Sequence, residues 1–453
     1  MAKKPLLCAS PYPKRLEKRF LAISKFWGDC NTLLHTIYVG LLLGLAVNQI
    51  DTATVFSNAK RPALNIAVVG AGAAGLCSAK HCLAEGHEVT VYEQSEEIGG
   101  VWYYTDEIGK DKYGVPIHTS MYQGLRRTEI SPFICKPFRI EKSNQIASHL
   151  VVRVLPIKND KWEVLVKNLP KNTFETIIYD VVFVCNGHNS KPFIPNIDSA
   201  DEFKGKLIHS HDYRKPEPFR NTSVLVIGPG PSGKDLVAQL AKFTKRVAFS
   251  RHKIVNETDE DRKKRQSLYS PNVILKDDVT RFTSTGAEFI DGSHETFDVV
   301  FFATGYNSSY PFLSVNSGVY VKKKLVQPLY KHIFNVEHPT MAFIGISPFA
   351  PTIPMFDLQV RFVLKFLSGA KKLPTKAEML KDVQMQPTRR RPYNLLPDRI
   401  EYIKQISELA DIEPVPDVFV SATKDSIVAG IREPNDFRKY RYMLINDKSF
   451  KKE

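Results

Sequence analysis

The chain is short of cysteine and of negative charge. Its 453 residues include six cysteines, Cys8, Cys30, Cys77, Cys82, Cys135 and Cys185. They form no disulfide framework and no CxxC pair of the kind that binds zinc. Cys77 and Cys82 keep the CxxxxC spacing of a redox disulfide, but both fall inside the helix expected from residue 72 onward. Five helical residues set them roughly 140° apart, too divergent to bridge, so both read as packing residues. Acidic residues number 48 against 63 Lys and Arg, a formal charge of +15. The excess is spread along the chain, with denser patches at 12–25, 262–265, 322–324, 389–391 and 438–452. No aromatic–basic module accompanies it, so the reading is a solvated basic surface and no nucleic-acid partner. No apolar run reaches the roughly 20 residues of a spanning helix. Hydrophobic residues make up 43% and charged residues 25%, which excludes the disordered and collagen-like classes. The length suffices for two or three domains.

The longest apolar run, Ile37–Val47, is extended backwards by Leu33 and Leu34 and preceded by Lys3, Lys4, Lys14, Arg15, Lys18, Arg19 and Lys25. A basic flank before a short apolar core suits a signal peptide or an uncleaved signal anchor at about 32–47. Gly44-x-Ala46 and Ser57-x-Ala59 would serve as cleavage sites. The flank would keep the N-terminus cytoplasmic and send the rest to the endoplasmic reticulum lumen or outside the cell. Sequons at Asn221, Asn256 and Asn307 would be available there. Membrane association through this segment is the corresponding expectation. A buried core helix is the alternative, and without a working signal the protein stays cytoplasmic.

What is present is a repeated motif. Residues 66–79, IAVVGAGAAGLCSA, carry Gly70, Gly72 and Gly75 after an apolar strand and before a helix, with Ala71, Ala73 and Ala74 between and beside them. In GxGxxG the first glycine makes the tight turn, the second lets a pyrophosphate approach the backbone, and the third lets helix and strand pack closely. The helix start offers free N–H groups to phosphate. Gly86 stops this helix, and a second strand, His87–Tyr92, ends at Glu93, where a carboxylate accepts from a ribose hydroxyl. Gly99 and Gly100, followed by Val101 and Trp102, offer a bare backbone and a flat ring to a cofactor. Residues 224–237, VLVIGPGPSGKDLV, repeat the pattern through Gly228, Gly230 and Gly233, with Ser232 at the helix start and Ser250 closing the next strand. Glu93 stands 23 positions after Gly70, and Arg251 stands 23 positions after Gly228. A carboxylate there selects an unmodified ribose, and an arginine favours a 2′-phosphate. The first loop is therefore assigned to FAD and the second to NADPH, an arrangement for passing a hydride from one to the other.

Between the loops, FKGKLIHSHDYR (203–214) matches FxGxxxHxxxY through Phe203, Gly205, His209 and Tyr213. Together with the second GxGxSG, with DVVFFATGY (298–306), LYKHIFNVEHPTMAFIGI (329–346) and FDLQVRFVLKFLSG (356–369), this resembles the flavin-containing monooxygenases, insect members especially. The resemblance runs from about residue 64 to about 390. It implies an α/β fold of two Rossmann-like dinucleotide-binding domains, the NADPH domain inserted into the FAD domain. The corresponding segments are 1–60 (N-terminal basic segment), 64–217 and 299–430 (FAD domain), 218–298 (NADPH domain) and 431–453 (basic tail). It also implies that Arg127, Thr304, Gly305 and Gln359 contact cofactor, and that His209 and Tyr213 order the linker into the second domain. The implied reaction transfers one oxygen of O2, through a flavin C4a-hydroperoxide, to a soft amine nitrogen or sulfide sulfur of a small molecule. No metal is expected.

The sequence departs from that family in two places. Residues 121–132 read MYQGLRRTEISP, so Thr128 takes the position of an asparagine near the flavin and offers one hydroxyl in place of an amide. Phe138 runs almost directly into the β-rich stretch 148–168, and a helical segment that covers the flavin side is missing. These departures keep two alternatives open. One is an NADPH oxidase or reductase that releases hydrogen peroxide. The other is a flavin-fold protein that binds without turnover.

Overall fold

The structure is a computed structural model that describes residues 62–125, 129–131, 144–322, 325–346, 352–386, 396–434 and 436–453. The N-terminal apolar segment, Arg127, Thr128 and residues 132–143 lie outside the described residues. Among the described residues no helix is long and apolar enough to cross a membrane.

Two sheets set the plan, and each is built around a strand that feeds a glycine loop. The first nucleotide strand, β1 (Asn65–Val69), leads into helix α1 (Ala73–Ala84) and strand β2 (Glu88–Tyr92). Ile66, Ala67 and Val68 are fully buried, as expected of a strand covered on both faces of a parallel sheet. The second set is strand β3 (Ser223–Ile227), helix α2 (Pro231–Leu240) and strand β4 (Arg246–Ser250).

The two sets are copies of one plan. In the first sheet the strands 181–184, β1, β2 and 144–146 lie side by side, and in the second 299–302, β3, β4 and 273–276 do the same. All these pairings are parallel. Both copies leave the sheet through three antiparallel strands before their last parallel strand returns, at 149–157, 161–168 and 173–179 in the first and at 279–282, 286–289 and 294–296 in the second. The returning strands share one signature, Asp180 before VVFVCNGH (181–188) and Asp298 before VVFFATGY (299–306). Asp180 Oδ2 accepts from the Asn65 N–H at 2.8 Å, and Asp298 Oδ2 accepts from the Ser223 N–H at 2.7 Å. The chain runs through the first copy, completes the second, and then returns to the first sheet with strands 341–343, 334–335 and 329–330. This is the inserted, doubly dinucleotide-binding arrangement that the sequence leads one to expect.

Helix α3 (Asp259–Gln266) belongs to the second copy. Helices α4 (Thr352–Leu367), α5 (Lys376–Met385), α6 (Leu396–Ala410) and α7 (Asp417–Arg432) follow the return. α1 packs with them in a core that includes Cys77, Cys82, Phe183, Phe334, Phe362 and Tyr402. Cys77 and Cys82 are free thiols in that core, which agrees with their reading as packing residues. The expected basic tail is instead folded. Strands 441–444 and 450–452 form a hairpin, and 441–444 runs parallel to 129–131. Paired charges explain the difference: Arg438 and Lys452 are engaged by Asp235 and Asp425, so these cations are not a solvated run.

Candidate functional site

At the first loop the glycines serve three geometries. Gly70 has φ +104°, and a Cβ on it would stand 2.6 Å from the Cys185 carbonyl oxygen. A Cβ on Gly75 would stand 1.8 Å from the Gly70 carbonyl oxygen, so α1 can approach β1 only without a side chain there. Gly72 is the N-cap of α1 and faces Gly100, whose own Cβ would lie 3.1 Å from the Gly72 Cα. The Gly99 N–H donates to the Ala71 carbonyl at 3.0 Å. The paired glycines thus lie against the loop itself, backbone to backbone. Glu93, 8% exposed, closes the site from the end of β2. Its Oε2 accepts from the Ala71 N–H at 2.8 Å, and its Oε1 accepts from Ser95 N–H and hydroxyl at 3.0 and 2.9 Å. Oε2 keeps a further lone pair for a ligand hydroxyl. Glu93, Ser95, Gly100, Tyr103, His118 and Thr119 line a cavity of about 360 Å³.

The second loop repeats these distances. Gly228 has φ +114° and its Cβ would stand 2.4 Å from the Ala303 carbonyl oxygen, while a Cβ on Gly233 would stand 1.9 Å from the Gly228 oxygen. A Cβ on Gly230 would meet nothing within 4 Å, so that position opens on space a ligand can fill. Pro231 at the first helical position presets the start of α2.

Neither α1 nor α2 has a side-chain cap or an acidic residue in its first turn. α3 and α5, in contrast, start with full capping boxes, Thr258 with Asp261 and Thr375 with Glu378. α7 has no cap side chain, but it carries Asp417 in its first turn and its Val418 N–H is taken by the Asp447 carbonyl. Of α1, α2, α3, α5 and α7, the two helices after the glycine loops are therefore the ones whose leading N–H groups remain for an anion.

The charge around the second loop is cationic and poorly matched. Arg262 pairs with Asp277 at 2.8 Å and Arg265 Nη2 with Glu257 at 2.6 Å. Arg251 Nε and Arg265 Nε and Nη1 are buried without a hydrogen-bond partner. Burial and then the neighbouring Arg265 lower the Arg251 pKa, and burial and then Arg251 lower that of Lys234. Like charges with orphaned donors fit a dianionic ligand group, which would satisfy the donors and relieve the repulsion.

A sequence model of the flavin-binding monooxygenase-like family matches residues 63–148, 156–255 and 260–444. The chain belongs to that family. It is 31% identical over 458 residues to senecionine N-oxygenase of Tyria jacobaeae, covering 92% of this chain and 95% of the relative. It is 32% identical over 360 residues to flavin-containing monooxygenase FMO GS-OX3 of Arabidopsis thaliana, covering 70% and 77%. The solved S-allyl-L-cysteine S-oxygenase of Allium sativum matches with a TM-score of 0.73 at 27% identity, over 83% of this chain and 95% of that one. The match to residue 444 extends the likeness well past residue 390.

In this monooxygenase the remaining expected site residues are distributed unevenly. Val101 and Trp102 follow Gly100 in a short 3-10 turn, and Trp102 is 42% exposed. Ser232 lies in the first turn of α2. The Ser250 hydroxyl donates to the Asp277 carbonyl at 2.7 Å, so it braces the strand end before Arg251. Gln359 is likewise occupied: its Oε1 accepts from the Gly345 N–H at 3.0 Å and its Nε2 donates to the Tyr402 hydroxyl at 3.1 Å. Thr304 Oγ1 donates to the Phe193 carbonyl. The Gly305 carbonyl accepts from the Phe193 N–H and is 3.0 Å from His209 Nε2. Both hold the strand end beside Gly228. His209 Nδ1 accepts from the His211 N–H at 3.0 Å, and the Tyr213 hydroxyl donates to Gln239 Oε1 at 2.8 Å. These contacts order the linker into the second copy. Arg127 and Thr128 lie outside the described residues.

Several neighbours escaped the sequence reading. Arg214 is 6% exposed, and its guanidinium donates only to main-chain carbonyls, those of Glu107, Thr119, His211 and Tyr213. It fastens the segment over the first loop to the linker. His118 lines the cavity beside Glu93, with its Nε2 3.2 Å from where a Gly187 Cβ would stand. Burial lowers its pKa, which keeps a neutral ring there. The Asn186 Cα stands 3.2 Å from where a Gly70 Cβ would be, and the shared VVF(V/F)-x-x-Gly ending of the two returning strands was the available signal for Asn186 and Gly187.

Proposed function

We propose that this enzyme is an NADPH- and FAD-dependent monooxygenase that transfers one oxygen atom of O2 to a soft nitrogen or sulfur of a small molecule. The observation that carries the reading is one loop geometry built twice with opposite charge at its end, Glu93 in the first copy and Arg251 in the second. In this reading FAD lies on the first loop. The α1 N-terminus and Gly72 take its pyrophosphate, Glu93 takes an adenosine ribose hydroxyl, and Gly100, Val101 and Trp102 border it. NADPH lies on the second loop, with Gly230 and Ser232 at the pyrophosphate and Arg251, backed by Arg265, at the 2′-phosphate. Bound flavin supplies the electron store and the dioxygen chemistry. The chain supplies orientation and exclusion of water, and Thr128 supplies one hydroxyl donor on the flavin side. An N or S acceptor is favoured because relatives named for N-oxygenation and for S-oxygenation match the chain.

The test is a balance sheet on purified protein. Flavin content, NADPH consumed, hydrogen peroxide released and oxide formed are measured with a tertiary amine and with a thioether. The expected result is retained flavin and close to one oxide per NADPH. Close to one peroxide per NADPH and no oxide would replace the reading with an oxidase, and no flavin with no NADPH oxidation would replace it with a binding protein.

A further inference from the structure

The C-terminal segment meets the second nucleotide helix and the segment leading to Thr128 at one place. Its hairpin is anchored on α7. Tyr442, fully buried, donates to Asp425 Oδ2 at 2.5 Å, and Lys452 Nζ is 2.8 Å from the same oxygen. From that anchor Arg438 reaches α2, with Nη2 2.8 Å from Asp235 Oδ2 and Nε 3.2 Å from Asp235 Oδ1. Asp235 is 7% exposed, and its Oδ2 also accepts from the Tyr122 hydroxyl at 2.5 Å. Burial and the Asp235 carboxylate push the Tyr122 phenol up, so it remains a donor. Lys234, next on α2, points its Nζ at the Gly430 carbonyl of α7 at 3.5 Å. Beyond Tyr122 the same segment reaches residues 129–131, which pair in parallel with 441–444 through Glu129 with Arg441, Ile130 with Tyr442 and Ser131 with Met443.

The C-terminal segment therefore holds Tyr122 through a side-chain bridge by way of Asp235, and 129–131 by main-chain pairing. We propose that it is a positioning clamp for oxygen transfer, with Arg438 as the positioning residue that locks Tyr122 to the NADPH helix through Asp235. The physical basis is a forked guanidinium on a buried carboxylate. Without Arg438 that carboxylate is a buried charge with one phenol for a partner, and α2 or the segment must shift to rehydrate it. A displacement of about 1 Å between two bound cofactors is enough to spoil a reactive alignment.

The inference rests on the proposed oxygenase reading, so the wild-type protein is measured first. If it forms no oxide from NADPH and O2, that reading fails and the clamp is not at issue. In full-length Arg438→Ala we expect retained flavin, a KM for NADPH about fivefold higher, and a several-fold larger share of NADPH ending as peroxide. Hydrogen exchange is expected to speed up in both 129–131 and 441–444. Arg438→Lys should recover part of each effect, since it keeps the charge and loses the fork. Tyr122→Phe should move coupling in the same direction by less, and it carries the test should Arg438→Ala lose flavin. Wild-type peroxide share and exchange in these variants, or a lower melting temperature with unchanged coupling, would overturn the proposal.

Discussion

Arg251 brings a positive charge next to Lys234 and Arg265, two groups of its own sign: after burial, Arg265 is the main cause that lowers the Arg251 pKa, and Arg251 the main cause that lowers that of Lys234. Such an arrangement is costly without an anion, which is why the 2′-phosphate assignment has a sharp consequence. Arg251→Ala should raise the KM for NADPH by about 10–100-fold, the range of one to two charge-assisted hydrogen bonds, while the KM for NADH stays within about twofold. Arg265→Ala should act in the same direction more weakly, because Glu257 already holds part of its fork. Steady-state KM values for the two nucleotides decide this, and equal losses for both would remove the assignment. Glu93 and Arg251 were legible because a strand end fixes where a side chain stands relative to the preceding glycine. The partners of Ser250 and Gln359 were not legible, because nothing local tells which way a polar side chain turns. Ser250 turns to the Asp277 carbonyl and Gln359 to Gly345 and Tyr402. Asp235, Tyr122 and Arg438 could not be connected from sequence, since Arg438 lies 203 positions from Asp235.

At the scale of elements, the glycine loops separate two roles that a motif string merges. The third glycine is a packing requirement and the second is a binding requirement. Gly233→Ala drives a Cβ to 1.9 Å from the Gly228 oxygen, so it should lower the melting temperature sharply or leave the protein insoluble. Gly230→Ala meets no protein atom within 4 Å and sits at φ −68°, a conformation alanine adopts freely. It should fold with a melting temperature within about 2 °C of wild type and bind NADPH roughly tenfold more weakly, because the methyl occupies the approach of the pyrophosphate. Thermal unfolding and nucleotide titration together test the division of roles, and weak binding without loss of stability is the diagnostic outcome for Gly230. The helices themselves were readable in advance: apolar strand, glycine turn, helix and Gly86 stop are local signals. The hairpin at 441–452 was not readable, because its parallel partner at 129–131 is distant in sequence and Lys452 is engaged by Asp425 of α7.

At the scale of the whole molecule, the duplicated plan makes the junction between copies a point of stability, and two buried histidines make that stability depend on pH. His209 ends the strand entering the second copy, and its ring bridges Gly305 and His211. His332 lies on the return into the first sheet and is 7% exposed. Burial pulls each imidazole down from the ordinary 6.5 to about 4. Between those values the unfolded chain binds protons that the folded chain refuses, so stability falls as pH falls. The contribution is fully present above pH 6.5 and is lost progressively toward pH 4. Each group adds a slope of roughly 1.4 kcal/mol per pH unit inside that window. Urea midpoints should drop clearly between pH 7 and pH 5. In His209→Gln, which can still donate to the Gly305 carbonyl without titrating, the drop should be shallower, with His332 and His118 still contributing. A midpoint independent of pH across that interval, or an unchanged slope in the variant, would show that the junction does not depend on a neutral His209.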